Sequence, residues 1–598
     1  MESKVLKKRG EIQDKDKWAV NEIYSCDEEW EREYEELQEE APKLKNFEGK
    51  LGDAKVLEEY FEVNEKTSRK AEKIYVYAHL RSDEDTSNTT YQAMMNKIDA
   101  YMAEYATYTA YVVPEILALP DGTIEKLMNE NKRLEPYKFL LENILKEKPH
   151  VLDKKEEELL AAASDCLDAP SSIHNIMTNA DMKFGNIKDE DGEEVELTEG
   201  NYSSFIKSKD RNVRKAAFER LFGEYKSFEN TLATTLSSSI KVFNFGAKIR
   251  NYNSALEASL KPNDIPTEVY TNAVKTINDN LSSLHRYVKL KKKLLGLEEM
   301  HMYDLYVPVI EVPKEHVEFD KAVEMAVEGL NPLGKEYLDI FQGGINGGWI
   351  DKYINKGKRG GAYSWGGYDT KPYVLLNYNY ELNDVSTLVH EMGHSIHSYY
   401  SRKEQSYYYA GYTLFCAEVA STTNEALLIH HLINKETDKK KKLYLINQEL
   451  EQIRTTVFRQ LMFAEFELYT HESFEKGLPL TAQDYNAKWH ELNVKYFGPD
   501  MVVDSDIDVE WSRIPHFYSD FYVYQYATGY AAASAFANSI LNGEKDAVEK
   551  YVGFLKSGGS DYPIEILKKA GVDMTTSKPL EATINRFNEL LDMLEKEI

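Results

Sequence analysis

Leu388-Val389-His390-Glu391-Met392-Gly393-His394-Ser395-Ile396-His397 places two imidazoles four residues apart. At 3.6 residues per helical turn they project from one face, where both can share a single zinc ion. Glu391 follows the first histidine, and in an HExxH helix that residue is the general base for a zinc-activated water. The pattern demands a helix here. It does not by itself establish chemistry, because five residues of this type also arise by chance.

Working outward, most of the chain has the same periodicity. Asp27–Glu40, Val56–Lys73, Tyr91–Ala110, Asn212–Phe228 and Tyr270–Leu294 are rich in Glu, Lys, Leu and Ala at helical spacing. Stops are expected at Pro42, Pro114, Pro120, Pro262 and Pro266. The fold class is therefore mainly α. Two islands differ. Lys183–Leu197 predicts a hairpin turning at Asp191-Gly192, a seam between an N-terminal helical region (1–200) and a catalytic region (201–598) or a hairpin within one domain. The glycine-rich segments 343–348 and 356–367 precede a strand at Pro372–Tyr378, with Asn383 or Asp384 as N-cap of the motif helix. That small β element beside the helix is either an ordinary strand or an exposed edge able to hold an extended peptide.

A catalytic zinc takes three protein ligands and keeps one position open. Glu418, in the apolar segment Phe415–Ser421, is the best third ligand, because a carboxylate there is costly to bury without a partner. The 23 residues after His394 allow a loop through the tyrosine-rich segment 406–412 and an antiparallel return. Glu425, about two turns beyond Glu418, shares its face and is placed to orient a histidine. His397 offers a His-His-His alternative on spacing alone. However, positions i and i+7 lie about 10.5 Å apart along a helix axis, which disfavours it. His430 and His431 read as ordinary helix residues.

Composition narrows the function classes. The 598 residues carry 73 Lys+Arg against 101 Asp+Glu, a net charge of -28, which argues against nucleic acid and anionic membranes as partners. No apolar run approaches membrane-spanning length, and Tyr530–Leu541 reads as a buried helix. The N-terminal segment MESKVLKKRGEIQDKDKW lacks the apolar core of a signal peptide. Three cysteines, Cys26, Cys166 and Cys416, have no metal-type spacing and are too few for a disulfide framework, so a cytoplasmic location is expected.

The blocks Leu388–His397, Ala417–Thr422 and Asn424-Glu425 resemble the thimet-oligopeptidase-like metallopeptidases. Gly357–Ser364, Arg513–Tyr518 and Phe521–Gly529 are similar to the oligoendopeptidase F branch, with a weaker match around Trp18 and Ile23-Tyr24. The chain departs from that branch at Gly360, where serine is common. The resemblance implies a zinc endopeptidase for short peptides, in an almost all-helical body with the zinc at the floor of a deep internal channel. It implies one Zn2+ on His390, His394 and Glu418, with Glu391 as base. It also implies that His516, Tyr522 and Tyr526 contact substrate and transition state, although core packing is the competing reading of those tyrosines. A zinc exopeptidase of carboxypeptidase or dipeptidase type and a non-catalytic peptide-binding protein are the alternatives. Intact Glu391 speaks against the second, since a structural zinc needs no base. Oligomeric state is not legible.

Overall fold

The computed structural model describes residues 6–310, 312 and 315–597. Helices dominate. Asp27–Glu40 forms as expected, with Asp27, Glu28 and Glu29 at the positive end of its dipole. Val56–Lys73 lies inside a longer helix, Ala54–Glu84, whose start is fixed by the Asp53 carboxylate accepting from the amides of Lys55 and Val56. Asn88 caps Thr89–Thr109 in the same way. The expected Tyr270–Leu294 helix is two helices, Thr267–Asp279 and Leu281–Leu294, broken at Asn280, whose side chain donates back to the Thr276 carbonyl. Competition of this kind from an asparagine side chain interrupts a helix without any proline.

Two compact units make up the chain, and they are interleaved in sequence. One comprises residues 1–148, 314–431 and 536–571; the other comprises 149–313, 432–535 and 572–598. This division differs from a linear one at residue 200. The hairpin Asn186–Lys188/Glu194–Glu196, paired Ile187 to Val195, lies inside the second unit. No described helix is long and apolar enough to cross a membrane. Ala531, Ala532 and Ala533 in Tyr524–Leu541 are fully buried, as expected.

In the first unit an aromatic core around Trp30, Tyr34, Tyr60 and Tyr77 reaches Tyr373 and Leu375 of the small sheet. The sheet has three strands. Tyr373–Tyr378 is the middle one, parallel to Ile350–Tyr353 and antiparallel to Tyr363–Trp365. The expectation that Tyr373–Tyr378 presents an exposed edge is therefore corrected: both its sides are paired, and Ile350–Tyr353 and Tyr363–Trp365 are the two outer strands. Its near-continuous apolar run fits a strand buried on both faces. The loop before it is pinned by Lys358. This buried ammonium donates to Asp351 Oδ1 at 2.7 Å and to the carbonyls of Asp351, Tyr353 and Leu376. The second unit packs around Trp489, Phe466 and Phe517.

Candidate active site

The motif helix spans Leu382–Glu404. Its N-cap is Glu381, earlier than the expected Asn383 or Asp384. Asp384 lies within the first turn, where its carboxylate accepts from the amides of Glu381 (2.8 Å) and Asn379 (2.9 Å). A capping residue at the third helical position thus drew the expected boundary too far forward.

The return helix, Leu414–Lys435, packs antiparallel on it, as the loop length suggested. Ser421 lies against Gly393, Asn424 donates to the Val389 carbonyl at 3.0 Å, and Ser386 donates to Glu425 at 3.1 Å. As numbers fall along one helix they rise along the other. Gly393 permits this approach: a Cβ there would stand 2.7 Å from the Ser421 Cα.

This packing gathers the predicted ligands. Glu418 Oε2 lies 3.5 Å from His390 Nε2 and 3.6 Å from His394 Nε2, and the three donor atoms fall within 4.8 Å of one another. Tetrahedral ligands on bonds of about 2.1 Å stand roughly 3.4 Å apart, so the donor set fits one zinc ion. His390 Nδ1 faces Glu425 Oε2 at 3.3 Å, which leaves Nε2 turned toward Glu418. Ser421 Oγ donates to Glu418 Oε2 at 3.0 Å. Sequence reasoning missed Ser386 and Ser421, though each lies one turn from a predicted ligand, at i−4 from His390 and i+3 from Glu418.

The electrostatics follow from burial and proximity. Burial works against charge on His390, but hydrogen-bonded Glu425 and the carboxylates of Glu391 and Glu418 outweigh it and raise the imidazole to about 9. The His394 imidazole holds Glu418 at about 2 against the opposing effect of burial. Glu391 is 7% exposed, and burial raises its carboxyl above the ordinary range, with His390 and His394 pulling the other way. His397 stands apart from the donor set. It is stacked 3.7 Å from the Tyr412 ring beside Phe554, its Nδ1 has no hydrogen-bond partner, and burial pushes it down to about 3.

His516, Tyr522 and Tyr526 gather in the second unit. His516 lies in the short 3-10 turn Pro515–Tyr518, Tyr522 follows it in the connecting loop, and Tyr526 is in the first turn of Tyr524–Leu541. The His516 and Tyr522 rings are parallel at 5.9 Å, Tyr522 meets Tyr526 edge-on at 5.4 Å, and Tyr526 Oη is 3.3 Å from His516 Nε2. All three are partly exposed. Burial lowers the His516 pKa, which favours a neutral imidazole.

Comparison with known proteins agrees with this geometry. Residues 204–586 match the model of Peptidase family M3, and residues 115–184 match that of Oligopeptidase F. Oligopeptidase PepF of Bacillus subtilis is 48% identical over 592 residues, 99% of this chain and 88% of that protein. Group B oligopeptidase PepB of Streptococcus agalactiae is 42% identical, covering 98% of each. Among solved structures, oligoendopeptidase-F from Enterococcus faecium shares 40% identity at a TM-score of 0.73, over 96% of this chain and 99% of that one. A putative peptidase from Chlamydophila abortus shares 37% at 0.95, over 99% and 100%. The chain belongs to peptidase family M3, on its oligoendopeptidase F branch, and is a metallopeptidase.

Proposed function

We propose that this chain is a zinc endopeptidase of short peptides that holds one Zn2+ on His390, His394 and Glu418. The observation that carries the reading is the donor triangle of 3.5 and 3.6 Å with buried Glu391 in the turn between the two histidines. When bound there, zinc supplies Lewis acidity, polarising a scissile carbonyl and acidifying a water. Glu391 takes a proton from the attacking water as the C–O bond forms and returns it to the amine as the C–N bond breaks. Glu425 fixes the His390 ring, and Ser386 fixes Glu425. His516, Tyr522 and Tyr526 are the hydrogen-bond donors proposed to contact substrate and transition state.

The outer strand Tyr363–Trp365 is the natural holder of an extended peptide backbone. Ser364 Oγ lies 2.8 Å from Ser395 Oγ, next to His394, which ties that strand to the motif helix. The three free thiols accord with a reducing, cytoplasmic location.

Mass spectrometry of products from a mixed peptide library, with and without a chelator, tests the function. Internal cleavages of short peptides, abolished by the chelator while a folded protein stays intact, are expected. Release of residues from one terminus alone, or chelator-resistant cleavage, overturns the proposal.

A further inference from the structure

Phe521 immediately precedes Tyr522 and stands at φ +60, a left-handed backbone that a bulky residue adopts only when its surroundings enforce it. Those surroundings are unusual. The Phe521 amide donates at 2.7 Å to Oε1 of Glu467, a carboxylate only 2% exposed on the helix Arg459–Glu475. The Tyr270 hydroxyl lies 3.4 Å from the other Glu467 oxygen and donates to the Ala464 carbonyl at 2.7 Å. One turn along the same helix, buried His471 approaches Asp520 with Nε2 3.4 Å from Oδ1, while its Nδ1 meets Asn244 at 2.9 Å. Ser259 Oγ donates to the Asp520 carbonyl at 3.0 Å. The Phe521 ring is buried between His471, at 4.5 Å, and Tyr270, at 5.5 Å.

A carboxylate, an imidazole and the Ser259 hydroxyl thus converge on two consecutive residues of a loop, and the Tyr270 hydroxyl lies against the carboxylate. Burying Glu467 is costly, and an apolar residue of similar volume packs such a site more cheaply. Burial and the nearby Asp520 both work against charge on Glu467. What the arrangement provides is a fixed loop backbone. The next residue is Tyr522, whose ring meets both His516 and Tyr526.

We propose that Glu467 is a positioning residue: it latches the Phe521 amide, holds the left-handed turn, and so fixes where Tyr522 stands against His516 and Tyr526. On the other side of the turn His471 Nε2 and Asp520 Oδ1 lie 3.4 Å apart without a hydrogen bond between them. This inference rests on the donor role of Tyr522 given above.

The test is a cycle of E467M, E467Q, Y522F and E467M/Y522F, with kcat and KM on a quenched-fluorescence peptide, zinc content and thermal melting. E467M is expected to lower kcat about tenfold or more, with zinc content and KM little changed, because misplacement of a reacting group acts on the transition state. E467Q restores most of the loss, since its amide oxygen still accepts from Phe521. In the Y522F background E467M adds little.

A wild-type kcat in E467M, equal damage in E467Q, or losses that multiply in the double variant each overturn the latch. Full activity in Y522F overturns the donor role and the latch with it, whereas an impaired Y522F beside an intact E467M overturns the latch alone. If E467M does not fold, E467D replaces it. Its carboxylate is one methylene shorter and no longer reaches the Phe521 amide that Glu467 meets at 2.7 Å, so a fall in kcat at unchanged zinc content is expected, and a wild-type kcat overturns the proposal.

Discussion

Replacing Gly393 by alanine tests whether the spacing of two helices sets the metal site. Alanine is the better helix former by about 1 kcal/mol, so an isolated helix would gain from the change. Here the new Cβ would meet the Ser421 Cα at 2.7 Å and the Ala420 carbonyl and Ser421 amide nitrogen at 3.0 Å. All three are backbone atoms, so no side-chain rotation relieves the contact. Ordinary contact begins at 3.4 Å, and the difference from 2.7 Å requires the return helix to move by about 0.7 Å.

Ser421 is hydrogen-bonded to Glu418, so this motion carries the third ligand with it. Zinc–ligand distances tolerate only about 0.2 Å. Gly393→Ala is therefore expected to weaken zinc binding by roughly 10–100-fold, the range found when groups supporting a ligand are disturbed, or about 1.4–2.8 kcal/mol. Competition against a chromophoric chelator measures the affinity, and turnover should recover partly at high zinc. Wild-type affinity in this variant would refute the reasoning, because the helix separation would then not control the ligand triangle.

Glu418→Ala should strip zinc far more than His397→Phe; metal analysis giving the reverse order would contradict the ligand assignment. His397→Phe should also flatten the acid limb of stability. The folded pKa of about 3 lies below the ordinary 6.5, so the unfolded chain binds the extra proton and wild-type stability falls as pH drops from 6.5 toward 3. The slope is about 1.4 kcal/mol per pH unit in that window, read from denaturation midpoints, and an unchanged acid limb in the variant would count against it. Lys358→Met leaves Asp351, fully buried, with Arg9 as its remaining cation, and should cost about 3–5 kcal/mol in denaturant unfolding. A loss within the noise of the measurement would show that the pair is not a stabilising anchor.

What was legible in the sequence was local. Helical periodicity located Asp27–Glu40 to the residue, and the HExxH spacing with an apolar-segment carboxylate picked out His390, His394 and Glu418, three side chains that the structure brings together. Long-range packing was not legible. The apolar run Tyr373–Tyr378 is equally compatible with a central and an edge strand, and only the pairing with Ile350–Tyr353 on one side and Tyr363–Trp365 on the other decides it. Spacing put His397 on the ligand face; the partner ring of Tyr412, fifteen residues on, turns it into a core residue. Glu467 gave no signal at all, because its meaning depends on an amide 54 residues away. The interleaving of the two units is invisible to a linear reading for the same reason.

The most direct test of the proposed mechanism is Glu391→Gln, assayed for zinc content and peptide hydrolysis together. All three ligands remain while the base is lost, so full zinc occupancy with turnover reduced about 10²–10⁴-fold is expected. Near-wild-type hydrolysis by the zinc-loaded variant would contradict the account.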